Sequence, residues 1–421
     1  MKSIKIICCA ALLSILSALS VHAQANPTTS PLLVDDDKVQ CPTATFSTIQ
    51  SAIDAASPGQ AIRVCAGTYN EQLTISKSIT LAADNGVTLS PVGMTANATG
   101  STQSDQIAAA VLVKNTTSVL ISGFRIDGSE NGIIACSPRL IGVLIQDASA
   151  KIEQNAVRHF RLGSTLPGCQ SGNGIEVETS SGGQSDATIL YNSVDDYQKN
   201  GITANEAGSV VSIKQNFVAG IGPTTGAAQN GIQVGFGASG LVAFNTISNN
   251  VWSPCVSVAE CSTNATGVLI FGSDNVHVIE NAIGTNQIGV FTNGANTLIA
   301  YNHIFNSLVL DGVTVAGNTN NIELNEITQS DQASVEIQGN SNSITANKFL
   351  AAEFGILIDP GSTGTAHSAN EFFATLTGVL DGSMAPVAAA NQPASNSVRP
   401  KSAAVTGNAG TKAAQRVSPS R

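Results

Sequence analysis

Aromatic side chains make up only 4% of this chain and charged ones only 11%, with one tryptophan and three methionines in 421 residues. Such scarcity excludes large helices with charge-laced surfaces, and 39 glycines point instead to many short strands joined by tight turns. No CxxC pair is present, and His159, His277, His303 and His367 are scattered, which excludes a zinc site of ordinary ligand spacing. No apolar run reaches the roughly 20 residues that a membrane-spanning helix needs.

The N-terminal stretch MKSIKIICCAALLSILSALSVHAQA has a basic start at Lys2 and Lys5, a short apolar run, and small residues at Ala23 and Ala25. This pattern predicts a secretory signal over residues 1–23 and an exported protein, periplasmic or extracellular. Six cysteines follow the signal, an even count that favours disulfides over metal in an oxidising compartment. Neighbours pair most simply as Cys41 with Cys65, Cys136 with Cys169, and Cys255 with Cys261, one of 15 connectivities.

Residues 387–421 hold Arg399, Lys401, Lys412, Arg416 and Arg421 and no acid, in an Ala, Ser, Pro and Gly background that predicts a disordered basic tail. Setting aside those cations and the two leader lysines leaves 12 Lys and Arg against 29 Asp and Glu. A body so acidic repels nucleic acid. It also repels a polyanionic sugar unless a cation such as calcium (Ca2+) bridges the two.

A period runs through residues 24–386. Asn followed two places later by an apolar residue recurs at Asn155, Asn192, Asn216, Asn245, Asn281, Asn302, Asn325, Asn347 and Asn370, with the last intervals close to 22 residues. A second frame, Gly followed by alternating apolar positions, starts at Gly142, Gly174, Gly201, Gly231, Gly267, Gly289, Gly312 and Gly355. A unit of that length with three short strands cannot bury its apolar face alone, so it must stack. The fold class that follows is all-β: a right-handed parallel β-helix solenoid of about twelve coils, each strand pairing with its counterpart one coil away at roughly 4.8 Å. Asn suits the recurring corner because it tolerates left-handed backbone and its amide can bond the Asn stacked next to it. Wider intervals after Asn155, Asn216 and Asn245 mark loops inserted in a constant coil.

An open solenoid end exposes strand edges. The segment FSTIQSAIDAASPG predicts an N-terminal capping α-helix over about 47–57, with Ser47 and Gln50 as a capping box and Ser57-Pro58-Gly59 as the stop. For the other end, NEFFATLTGVL and the tail are both candidates.

The run ATFSTIQSAIDAASPGQAIRVCAGTYNEQLTISKSITLAAD resembles the entry segment of pectin-lyase-like right-handed parallel β-helix proteins, and the later coils resemble their generic repeats. The likeness spans residues 39 to about 380. It implies the fold and, because the superfamily includes polysaccharide lyases, esterases, hydrolases, epimerases and noncatalytic surface proteins, a carbohydrate-related role. The Trp-Ile-Asp-His of pectate lyases, the Gly-His-Gly and Asn-Thr-Asp of polygalacturonases and the Gln-Asp-Thr of pectin methylesterases are all missing. No catalytic residue carries over.

Setting NAVRHFR at Asn155 against NSVDDYQK at Asn192 places Arg158 near Asp195, His159 near Asp196 and Phe160 against Tyr197. In the adjoining frame Ile175 and Val177 point inward, sending Glu176 and Glu178 outward, with Thr203, Asn205 and Gln233 on the same side. The expectation is one polar patch three coils wide, flanked by Phe160 and Tyr197 as sugar-stacking surfaces. Calcium-assisted β-elimination on a uronate would use Glu176, Asp195 and Asp196 as ligands and Lys199 or Arg158 as base. Inverting hydrolysis needs two carboxyls about 6.5–9.5 Å apart, which Glu176 and Glu178 satisfy, as any outward i, i+2 pair on a strand would. Cross-strand charge pairs and an aromatic stack of the scaffold explain the same residues without chemistry. Trp252, beside the Cys255–Cys261 loop, either stacks on sugar or packs its own loop. The run DDDK at Asp35 to Lys38 either holds a cation or, next to the processed end, is a solvated leader.

Two functions follow from this reading. One is a secreted protein that binds or processes carbohydrate, an acidic polysaccharide, on the face centred on residues 158–233, and if an enzyme then a lyase or glycoside hydrolase. The other is a noncatalytic extracellular or envelope scaffold or adhesion protein, favoured by outward apolar positions at Leu269, Phe291 and Leu357.

Overall fold

The computed structural model describes residues 30–101, 105–180, 182–258, 261 and 263–384. The signal and the basic tail lie outside the described residues. Strands recur along the rest, in a right-handed parallel β-helix with one short α-helix among the described residues. A first sheet of 13 strands holds one strand from each turn of the solenoid. A second, of 23 strands, covers its two other faces, because several long strands run round the corner between them. Every pairing is parallel except that of Ala98–Thr99, which lies antiparallel to Gln106–Lys114.

The columns of the core are the sequence period made visible. The residue two places after each column asparagine stacks on its counterpart: Val157 on Val194, Val194 on Val218, then Ile247, Ile283, Ile304, Ile327, Phe349 and Phe372. All but Phe372 are shut from solvent. Each such side chain contributes about 1.5–3 kcal/mol by leaving water.

The asparagines form one continuous ladder. From Asn155 to Asn370, each backbone N–H and side-chain Nδ2 donates to the Oδ1 of the next asparagine at 2.9–3.1 Å. The left-handed backbone, however, belongs to the residue before each asparagine: Gln154, Tyr191, Gln215, Phe244, Glu280, Tyr301, Leu324, Ala346 and Ala369 have φ between 54° and 59°. The expectation that Asn sits there for its backbone is therefore corrected. Its column exists because a carboxamide can donate and accept at once, leaving no buried polar group unmet.

Glycine repeats for a different reason. A Cβ on Gly201 would meet the Gly231 carbonyl oxygen at 2.7 Å, and one on Gly231 would meet that of Gly267 at 2.6 Å, so stacked turns approach too closely there for any side chain.

The cap helix is Ile49–Ala55, and its N-cap is Thr48, not Ser47. Thr48 Oγ1 accepts from Ser51 N, while the Glu71 carboxylate takes the Ile49 and Gln50 N–H groups at 2.7 and 2.9 Å. An acid at a helix N-terminus also meets the favourable end of its dipole. Ile49, Ala52 and Ile53 are buried against the first turn. At the far end, NEFFATLTGVL supplies the strands Glu371–Phe373 and Thr377–Asp381, so it extends the stack and does not cover it.

Candidate functional site

The polar residues expected as one patch fall on two faces, because the corner between them turns through the core. Arg158 and Asp195 lie on the strands Ala156–Arg158 and Ser193–Asp195, in register, and Asp127 occupies the same position one turn earlier. This makes a column of alternating charge, Asp127, Arg158, Asp195. Arg158 Nη2 lies 3.1 Å from Asp195 Oδ1. At the corner beside it His159 and Asp196, both left-handed at φ 61° and 52°, swing out together. His159 Nδ1 lies 2.9 Å from Asp127 Oδ1 and its Nε2 lies 3.5 Å from Asp196 Oδ2.

Two arginines close the group. Arg161 Nη1 donates to Asp196 Oδ1 at 2.8 Å, and Arg125 Nη2 to Asp127 Oδ2 at 2.9 Å. The side chains of Arg125, Arg158 and Arg161 are 36–49% exposed, so each guanidinium fork keeps donors facing water. Burial works against the Asp127 charge, but hydrogen bonds from Arg125, His159 and Ser129 hold its carboxyl down at about 2.

The second face carries Glu176, Glu178, Thr203, Asn205 and Gln233 on the strands Asn173–Glu178, Asn200–Asn205 and Asn230–Gly235. They do point away from the core, as alternation requires, yet none is exposed. The expectation of solvent-facing glutamates is corrected here, and the physical reason is Arg139. Its Nη1 donates to both Glu176 oxygens at 2.8 Å and its Nη2 to Glu178 Oε2 at 3.2 Å, with Asp105 Oδ2 at 2.9 Å completing the cage. Asn173 Nδ2 donates to Glu176 at 2.6 Å and Gln146 Nε2 to Glu178 at 2.8 Å. The short antiparallel strand Ala98–Thr99 lies beside this cage, since Gln146 Nε2 also donates to Thr99 O at 2.8 Å.

Three carboxylates around one guanidinium cannot all stay charged cheaply. Burial and the Glu176 carboxylate push the Glu178 carboxyl up to about 8 against the pull of Arg139. Burial works against the Arg139 charge, but Glu176, Asp105 and Glu178 hold its proton more tightly than usual. Further along, Gln233 Nε2 donates to Asn205 Oδ1 at 2.8 Å and Asn200 Nδ2 to Gln233 Oε1 at 3.1 Å. Among the described residues the acid groups close enough together to hold a metal do not include Glu176, Asp195 or Asp196, so the expected calcium set is not assembled.

Other sequence candidates are core. Phe160 and Tyr197 are fully buried, Tyr197 donating its hydroxyl to Asn250 Oδ1 at 2.5 Å, so neither can stack on sugar. Lys199 is buried too, donates to Ala228 O at 2.8 Å, and is lowered by burial to about 7. Trp252 packs its loop, with Nε1 donating to Gly226 O at 3.2 Å and its ring against the cluster of Cys255, Cys261, Leu269, Ile288, Phe291 and Leu310. That loop is what covers the outward apolar positions Leu269 and Phe291. Disulfides join Cys41 to Cys65, Cys136 to Cys169 and Cys255 to Cys261.

Among the described residues two acid or thiol groups are tight enough to hold a metal. Cys41, Cys65 and Asp84 form one, and its sulfurs are bonded to each other. Asp35, Asp36 and Asp37 form the other, but Asp35 accepts from Cys41 N and Asp36 from Thr68 N, which uses the carboxylates to brace the first turn.

Sequence reasoning missed Asp127, Arg161, Arg125 and Arg139. Arg125 and Asp127 were hidden because Phe124 stands where the asparagine column would begin, whereas Arg161 ends the aligned run NAVRHFR and pairs with Asp196 past the corner, out of register. Arg139 reaches its partners across turns. The one available signal was its rarity, as a lone cation opening the apolar run RLIGVLI.

No family model and no curated protein matches the sequence. Solved structures do. The lacto-N-biosidase GH136 of Eubacterium ramulus superposes with a TM-score of 0.55 at 13% identity, over 81% of this chain and 67% of that one. The A-module of the Azotobacter vinelandii mannuronan C-5 epimerase AlgE4 gives 0.50 at 15% identity, over 79% and 92%. PfbA, a surface adhesin of Streptococcus pneumoniae, gives 0.51 at 12% identity, over 79% and 88%. With these neighbours and its stacked asparagine coils, the chain has the right-handed parallel β-helix fold.

Proposed function

We propose that the protein is secreted and binds an acidic polysaccharide on the charged face formed by Arg125, Asp127, Arg158, His159, Arg161, Asp195 and Asp196. The observation that carries this reading is the alternating column Asp127, Arg158, Asp195 with Arg125 and Arg161 beside it, which puts partly exposed guanidinium groups on two successive turns. A carboxylate is the natural partner of a fork with free donors. A pyranose unit is about as long as the coil spacing, ~4.8 Å, so a uronate polymer along the axis would meet one turn per sugar. Calcium, if used, would bridge Asp195 or Asp196 to the polymer. Two similar structures are carbohydrate enzymes by name, which supports the ligand class. Three disulfides, and no helix long and apolar enough to cross a membrane among the described residues, support export.

Noncatalytic adhesion is the second reading, favoured by one observation: Glu176 and Glu178, the pair expected to serve hydrolysis, are buried and bound by Arg139. One experiment addresses both. The purified protein is passed over immobilised polygalacturonate, alginate and a neutral glucan, with and without calcium, while unsaturated and reducing ends are followed in solution. Retention on the uronate polymers without products supports binding alone, and products support a lyase or hydrolase. Equal or absent retention on every polymer, with no products, defeats the proposal.

A further inference from the structure

The outer edge of the asparagine ladder carries aromatic side chains that packing does not explain. The left-handed residue ahead of each asparagine is Tyr191, then Gln215, Phe244, Glu280 and Tyr301 on five successive turns, each bonded through its N–H to the turn that follows. Tyr191, Phe244 and Tyr301 are 51, 50 and 56% exposed, and Phe217, two residues past Gln215, is 49% exposed. Two of the chain's four tyrosines therefore stand on one edge, whereas Tyr69 and Tyr197 are buried. Left-handed backbone disfavours bulky side chains, and at this edge they gain little burial in return. Ala346 and Ala369 take the same corner in later turns, so the fold does not ask for aromatics there.

We propose that this edge is a stacking track for a glycan chain running along the solenoid axis, with pyranose rings laid on Tyr191, Phe244 and Tyr301 and Phe217 flanking them. The aromatics recur every second turn, ~9.6 Å apart at the sheet spacing, close to the length of two sugar units. The exposed Gln215 and Glu280 between them offer hydrogen bonds to hydroxyls. A pyranose has the matching character, with C–H groups on its ring face and hydroxyls round its rim. A second copy of this chain fits less well, because a dry protein interface would have to bury Glu280 without a partner. The track is continuous with the charged face, since Ser193 and Asp195 follow Tyr191 with outward side chains. It rests on the carbohydrate reading of that face for its ligand class only.

The test is titration calorimetry with oligosaccharides of graded length, neutral and uronate, at high salt where the charged contacts are screened. Affinity is expected to rise with length until a chain spans Tyr191 to Tyr301. The combined Tyr191→Ala, Phe244→Ala and Tyr301→Ala variant is expected to bind about tenfold or more weakly, with an unchanged thermal midpoint. Val210→Ala, at an exposed apolar residue on another face, should leave high-salt binding unaltered. Equal affinity in the triple variant and the parent overturns the track, as does an edge that light scattering shows to mediate self-association while glycan binding is unaffected. The two proposals fail separately: loss of uronate binding in Arg158→Ala alone, with the triple variant unaffected, removes the track, and the reverse pattern removes the charged face.

Discussion

Arg139 Nη1 donates to both carboxylate oxygens of Glu176 at 2.8 Å, and both side chains are withdrawn from solvent. The pair makes the second polar face a sealed ion cage, and its energetics are those of buried charge. Arg139→Met leaves Glu176, Glu178 and Asp105 without their shared cation and is expected to cost about 3–5 kcal/mol in urea unfolding. Adding Glu176→Gln and Glu178→Gln should restore much of that loss. A single Arg139→Met variant as stable as the parent would show that the cage is open to water.

Two buried groups give stability a specific pH dependence. Glu178 is raised from 4.5 to about 8, so between those values the folded chain keeps a proton that the unfolded chain has lost, and stability falls as pH rises. Lys199 is lowered from 10.5 to about 7, so between those values the unfolded chain holds the extra proton, and stability grows with pH. Together they predict a shallow minimum near pH 7 to 8. In denaturation series across pH, Glu178→Gln should flatten the acidic arm and Lys199→Met the basic one. Parallel curves for all three proteins would show that neither group is buried as described.

The ladder makes position matter more than residue type. Asn281 accepts from Asn245 and donates to Val242 O, Ile279 O and Asn302 Oδ1, whereas Asn370 accepts from Asn347 and donates to Ile344 O. Asn281→Ala is expected to cost about 2–4 kcal/mol, since several buried partners lose their bonds at once. Asn370→Ala should cost less than half as much. Equal denaturant midpoints for the two would mean that the column is not a cooperative stack.

Tyr197 separates core from site. Tyr197→Ala should lower stability by about 3–5 kcal/mol. Tyr197→Phe, which loses only the bond to Asn250, should cost about 1 kcal/mol. Neither should alter glycan affinity in the folded fraction. A stable Tyr197→Ala variant with lost binding would restore the stacking role that its burial denies.

What could be read from the sequence follows from what repeats. Asn and Gly recur because each turn meets the same two constraints, a carboxamide to bridge coils and a backbone too close for a Cβ, so the fold and the pairing of Arg158 with Asp195 were legible. Departures from the period were not. Alternation correctly turned Glu176 outward, but nothing local announces that Arg139, on another turn, binds it and Asp105 together and keeps it from solvent. Phe160 and Tyr197 looked like outward rings because the strand count was carried through a corner, where the chain instead dives into the core. Three of the exposed aromatics, Tyr191, Phe244 and Tyr301, hid in front of the asparagines used to find the repeat.

The charged face is tested most directly by the affinity of a uronate oligosaccharide for the parent and for the combined Arg158→Ala, Arg161→Ala variant, each measured at low and high salt. If those guanidinium groups hold the polymer, the parent binds tightly at low salt and loses affinity as salt rises, while the variant binds weakly under both conditions. Identical affinities and identical salt slopes for the two proteins would contradict the proposed site.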